Sequence, residues 1–272
     1  MNFRSLLPLL LIAAVSFVRA EKQEASSADS TKGTDEAIPF VAGSIPAGYK
    51  LLFLEHFNKN PDRPIFKLGD KLPPNPAALT NFVFTDPAAW KVSQGDDGRN
   101  ALELTQQSNY NPPFRSPINI ALIKGKVFDD FIVEAECLQT GKEYGHRDMV
   151  FVYGYQSPSK YYYTHIATAA DDHAHNCFIV NDAARVKFAK ETTKGVDWGL
   201  NAWHKVRLER KASDGTVRVF FDDMAKPIMT AEDKTFGPGF IGFGSFDDTG
   251  KITNIRVWGK TVENKETPAF AK

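Results

Sequence analysis

The stretch "WHKVRLERKASDGTVRVFFDD" (203–223) alternates apolar and polar residues on either side of an Asp214-Gly215 turn, the pattern of two antiparallel strands joined by a hairpin. Helical spacing would place apolar residues three and four apart, and that spacing is missing here. The same period of two recurs in "KVFDDFIVEAECL" (126–138), "MVFVYGYQ" (149–156), "KYYYTHIAT" (160–168), "NCFIVND" (176–182), "FIGFGSF" (240–246) and "ITNIRVWG" (252–259). Turn-rich segments such as "QGDDGRN" (94–100) and "FGPG" (236–239) separate these runs. Many short alternating strands imply an all-β, antiparallel β-sandwich or jelly roll. Only "DPAAW" (86–90) reads as a helical turn.

Outward from this region the chain changes character. Residues 1–20 combine Arg4, an apolar run and the small residues Val18 and Ala20, and read as a signal peptide. Residues 21–37 read as a flexible polar linker, 38–259 as the jelly-roll domain and 260–272 as a charged tail. A secreted or periplasmic protein is the expectation. Removing residues 1–20 takes away Arg4 and Arg19 and no acid, which leaves 31 basic against 33 acidic residues. Such a balance offers no long-range pull on phosphate backbones or anionic lipid, so nucleic acid and membrane insertion are not expected. Cys137 and Cys177 are expected either to join in one disulfide or to lie buried as small hydrophobes.

The order W-x-x-h-x-h, D-G turn, h-x-h-x-h-D, G-x-h-G-h and h-x-N-h-x-V-W (h, apolar) over 203–258 resembles the C-terminal half of concanavalin A-like jelly rolls. Within that superfamily the chain is most similar to the 3-keto-disaccharide hydrolase-like domain of secreted bacterial proteins, over about residues 50 to 259. The "DDFIVEAECLQTG" segment (129–141) adds to the likeness. What the resemblance implies is cleavage of a glycoside oxidised at the sugar's third carbon, with a histidine base and a metal or hydroxyl donor on the enolate. His165 is the candidate base.

The residues also support a reading of their own. Alternation puts Tyr161, Tyr163 and His165 on one strand face and Tyr162, Thr164 and Ile166 on the other. If Ile166 serves the core, the odd trio turns to the concave surface. The preceding strand would then bury Val150 and Val152 and add Phe151 and Tyr153 to an aromatic wall. Sugars pack their C–H faces on such rings while a few polar groups hold their hydroxyls. Arg147, His165, Asn176, Asn181 and Arg185 are the expected polar contacts. The function expected is recognition of a polysaccharide or glycoconjugate. The alternative is elimination-type cleavage, by a 3-keto-glycoside hydrolase or a polysaccharide lyase, with His165 and Tyr163 as catalytic groups.

Glu134 and Glu136 share a strand face, but a laminarinase-type E-x-D-x-x-E would need an acid where Gln139 stands. No cofactor is required by these readings, though calcium is a candidate. Glu55 and Asp247 near the first and last strands supply hard oxygens. A minority reading gives "DDHAHN" (171–176) a transition metal on His173 and His175, which would point the same way if extended.

Overall fold

The computed structural model describes residues 45–60 and 71–270. The signal peptide and linker expected over 1–37 lie outside the described residues. Eighteen strands follow in order among the described residues: β1 (Lys50–Glu55), β2 (Phe82–Phe84), β3 (Trp90–Gln94), β4 (Asn100–Leu104), β5 (Asn119–Ile123) and β6 (Lys126–Phe128). Next come β7 (Phe131–Gln139), β8 (Asp148–Ser157), β9 (Lys160–Ala167), β10 (Asn176–Asn181), β11 (Val186–Lys187) and β12 (Ala189–Thr192). The last six are β13 (Trp203–Lys211), β14 (Thr216–Phe221), β15 (Met229–Glu232), β16 (Phe240–Ser245), β17 (Gly250–Gly259) and β18 (Val262–Asn264). The helical turn expected at 86–90 is a 3-10 turn, Pro87–Ala89, whose start Asp86 caps by accepting the Ala88 N–H at 3.0 Å.

Two antiparallel sheets face one another as a jelly-roll sandwich. The larger runs β12-β15-β14-β13-β7-β17-β4-β3, with β1 also on β17, and the smaller runs β11-β10-β9-β8-β16-β5-β2. Between them lies the main core, to which the larger sheet gives Val133, Ala135, Val206, Leu208, Val217 and Val257. The smaller sheet answers with Phe151, Tyr153, Tyr162, Ile166, Ile241 and Phe243. The 203–223 hairpin forms as its pattern predicts, with Val206 opposite Phe221 and Lys211 opposite Thr216. Cys137 and Cys177 are both free and fully buried in this core, so there is no disulfide between them.

Two expectations need correction. Val150 and Val152 do not enter the main core, and Phe151 and Tyr153 do. Register explains it: Val150 pairs with His165 and Val152 with Tyr163, and directly opposed residues share a face. Tyr153 therefore stacks on Tyr162 at 5.3 Å between the sheets and is not part of a ligand face. The run is nearly all buried on both sides, so its alternation carried no polarity by which to tell in from out. After Tyr153 the register slips at Gly154 (φ 56), which returns Tyr155 to the outer face. The second correction concerns the tail. Val262–Asn264 pairs with β6 as a strand, and the Gly125 N–H donates to Thr267 Oγ1 at 2.7 Å.

Candidate functional site

On β9 the odd side chains do turn away from the main core, yet they are not open to solvent. Tyr161, Tyr163 and His165 are 1%, 0% and 3% exposed. Tyr161 and Tyr163 join Ile120, Leu122, Val150, Val152, Tyr155, Phe178 and Val180 in a second apolar cluster, on which Phe114 and Phe270 pack, and His165 meets its edge through the Phe178 ring at 6.4 Å. Phe270 lies 5.7 Å from the Tyr155 ring and 5.5 Å from Tyr110. The expected aromatic wall is thus the floor of a covered layer. The physical reason is the size of the face: each such ring left in water forgoes roughly 1.5–3 kcal/mol of burial, and so large an apolar patch on a free surface is rare.

The cover ends beside Tyr163. There Arg185 donates from Nη1 to the Tyr163 hydroxyl at 3.0 Å, and its guanidinium carbon lies 5.0 Å from the Phe178 ring and 4.5 Å from Phe246. Arg115 approaches Phe246 as well, at 5.8 Å. Tyr163 stacks on Phe178 at 5.2 Å, which fixes the hydroxyl that Arg185 uses. Arg115 is exposed, Arg185 half-buried and Phe246 9% exposed. Among the described residues neither arginine has a carboxylate within ion-pair distance. Burial pushes the Tyr163 hydroxyl well above its ordinary range, against the pull of both guanidinium groups.

His165 sits behind this rim with both ring nitrogens engaged. Nδ1 accepts the His175 N–H at 3.2 Å, so the ring proton belongs on Nε2, which faces Asp148 Oδ2 at 3.5 Å. Burial, reinforced by Arg185, lowers its pKa to about 3. A buried imidazole with no accepting nitrogen left cannot take a proton from a substrate, so His165 does not fit the role of base. Tyr163, committed to Arg185 and raised in pKa, does not fit it either. Asp148, fully buried, accepts Ser245 Oγ–H at 2.9 Å and the Phe246 N–H at 3.0 Å. Burial, and Asp248 beside it, push its carboxyl well up.

Asp148, Asp247 and Asp248 bring carboxylate oxygens within 4.8 Å of one another. Three carboxylates this close together, Asp247 among them, are a set that could hold a metal ion, and several of their oxygens already have partners. Asp248 Oδ2 already accepts the Tyr144 hydroxyl and the Asp148 N–H, both at 3.0 Å, and both Asp148 oxygens are taken by Ser245 and Phe246. Calcium takes about six to eight oxygens; Asp247, exposed and with Oδ1 3.3 Å from the Tyr144 hydroxyl, is the least committed of the three. Glu55, the other expected ligand, is bound elsewhere, to the Phe57 N–H at 2.8 Å and Asn81 Nδ2 at 2.7 Å.

The 171–176 loop does not assemble a metal site. His173 is exposed, whereas His175 is fully buried with φ 48, so the two do not project together. Asp171 instead accepts the His173 N–H and pairs with His146, and Asp172 pairs with Lys187. Arg147 is also displaced from its expected role. Its guanidinium is 2.8 Å from Gly199 O and 3.0 Å from Gln139 O, holding strand ends together. Asn176 stands opposite His165, but its Oδ1 accepts the Ala189 N–H at 3.1 Å. Asn181 lies at the other end of β10, opposite Lys160. Glu134 and Glu136 are buried on the larger sheet against Arg207 and Arg99, each at 2.8 Å or less, and form no acid–base pair. Beside β7, β13 and β14 a cavity of about 290 Å³ is lined by Tyr49, Ile132, Glu209 and Arg218, with the last two paired to each other. Arg115 and Phe246 are rim residues that the periodicity did not find: "NPPFRSP" (111–117) has no period, and the contacts that bring both beside Arg185 are remote in sequence.

No family model matches the chain, and no curated protein matches it in sequence. Solved structures with a similar course of chain include the carbohydrate-binding module CBM66 from Bacillus subtilis, at 16% identity and TM-score 0.45 over 68% of this chain and 96% of that one. A protein of galectin-like fold from Bacillus subtilis matches at 11% identity and TM-score 0.48, over 80% and 100%. The lectin I-B4 of Griffonia simplicifolia, in metal-free form, matches at 12% and 0.42, over 68% and 94%. With the TM-scores of these structures under 0.5, the fold rests on the strands described above and no ligand is carried across.

Proposed function

We propose that the protein is a carbohydrate-recognising jelly roll whose contact surface is the rim of the smaller sheet's outer face, at Arg115, Arg185 and Phe246. The observation that carries this reading is Arg185, anchored on the Tyr163 hydroxyl and two aromatic rings while part of it stays open. Sugar recognition calls for that combination: a rigid aromatic support with a few hydrogen-bond donors held at fixed positions. Buried His165, Tyr163 and Phe178 serve as the support, and contact with the ligand falls to the rim. The engaged nitrogens of His165 favour binding without turnover. The features of residues 1–20 support a location outside the cytoplasm for this binding; N-terminal sequencing of exported protein should find cleavage after Ala20.

The test is retention on immobilised polysaccharides, with product analysis run in parallel. Retention without new reducing ends or unsaturated products is the expected result. Product formation that disappears in His165→Gln would overturn the binding reading, and absence of retention on every polysaccharide would remove sugar recognition altogether.

A further inference from the structure

Resting on that reading, we infer that the ligand is an acidic glycan, whose anionic group sits between Arg115 and Arg185 over Phe246. Two guanidinium groups approach one ring, at 5.8 and 4.5 Å. Like charges placed together cost energy unless a counter-charge lies close. Elsewhere in this chain Arg207 pairs with Glu134 and Arg99 with Glu136. Among the described residues no acid lies within ion-pair distance of either Arg115 or Arg185. Asp148, in the layer beneath, is fully buried and already meets Ser245, Phe246 and His165. Both charges also oppose the rise that burial gives the Tyr163 hydroxyl, Arg185 more than Arg115.

The arrangement is preorganised for an anion. The contacts with Phe178 and Phe246 and the hydrogen bond to the Tyr163 hydroxyl hold the Arg185 guanidinium in place, and the side chain is still half-buried, not closed off. A planar carboxylate accepts two parallel N–H bonds from such a group, and a sulfate ester offers three oxygens to the pair. A neutral sugar would leave both charges uncompensated. The whole chain is close to neutral, so attraction for an acidic polymer must come from this local pair and should be salt-sensitive.

The experiment is calorimetric titration of the full chain with polygalacturonate, its methyl ester, a sulfated galactan and a neutral glucan, at low and high salt. Binding to an acidic polymer about tenfold or more tighter than to the ester or the glucan is expected, weakening as salt rises. A uronate preference identifies a carboxylate as the partner and a sulfated preference identifies a sulfate ester; either supports the inference. Arg115→Gln, at an exposed side chain that should fold normally, and Arg185→Gln should each weaken acidic binding by about tenfold. Ester or glucan bound as tightly as the acid would overturn the anionic ligand while leaving sugar recognition intact. Acidic binding unchanged in both variants would overturn this location. No binding to any of the four would remove the proposed function and this inference with it.

Discussion

Acidification should loosen this protein through His175, and a single substitution isolates the effect. The ring is fully buried; Nδ1 accepts the Ala167 N–H at 3.3 Å, and Nε2, which therefore carries the proton, lies 2.9 Å from Thr193 Oγ1. Adding a second proton would set one N–H against another. Burial accordingly lowers the pKa from 6.5 to about 4. The unfolded chain takes up a proton near pH 6.5 that the folded chain refuses until about pH 4, so this stabilisation is complete above 6.5 and drains away between those values. Each pH unit in the window costs about 1.4 kcal/mol, or about 3 kcal/mol across it. His175→Asn keeps a short acceptor for the amide and tolerates the φ of 48. Urea unfolding followed by tryptophan fluorescence, at several values from pH 7 to pH 5, should show the variant losing about 2 kcal/mol less than the parent. A constant offset at pH 7 reflects lost packing and does not enter that difference. Parallel pH profiles for the two proteins would refute the reasoning, as would an NMR titration of His175 near 6.5.

Tyr162→Phe removes a hydroxyl that accepts the Phe236 N–H at 2.8 Å and donates to Asp233, leaving a buried donor unpaired. A loss of about 1–3 kcal/mol in urea stability is expected, with retention on glycans unchanged. Arg147→Met should cost about 2–3 kcal/mol by stripping the Gly199 and Gln139 carbonyls of their partner; an unaltered unfolding midpoint would refute that clamp. Both thiols are fully buried and free, and burial pushes Cys177 up to about 12. Native protein should therefore resist maleimide, and two labels should appear in urea without any reductant.

The larger sheet was legible because its strands are two-faced. In β13, Val206 and Leu208 enter the core while Lys205, Arg207 and Glu209 leave it, so polarity marks the parity. Gly215, at φ 81, marks the hairpin turn, and a Cβ there would come within 2.7 Å of Asp233 O. The smaller sheet gives no such mark. Its β8 and β9 are buried on both sides, and the valines and aromatics of β8 fit either face equally well by hydrophobicity. The orientation of Tyr161, Tyr163 and His165 followed from Ile166, but the cover above them could not. That cover comes from Phe114 and Phe270, on segments with no period, and the tail was read only as charge.

The same division bears on how specificity could change. Tyr163, Phe178 and His165 are locked by stacking, register and the Asp148 contact, so altering them disturbs the layer beneath the rim. Arg115 precedes β5 and Arg185 precedes β11, both outside strands, where a substitution breaks no ladder hydrogen bond. Rigid floor and variable loop charge is the arrangement by which one scaffold serves several ligands. Converting Arg115 to Glu should therefore reverse the local field and abolish acidic-glycan retention while moving the urea midpoint by no more than about 0.5 kcal/mol in stability. His165→Ala should do the opposite, costing about 2 kcal/mol or more because it empties a buried site and leaves the His175 N–H without its acceptor. If both variants lost stability equally, the rim would be part of the packed layer and could not act as a separate contact surface.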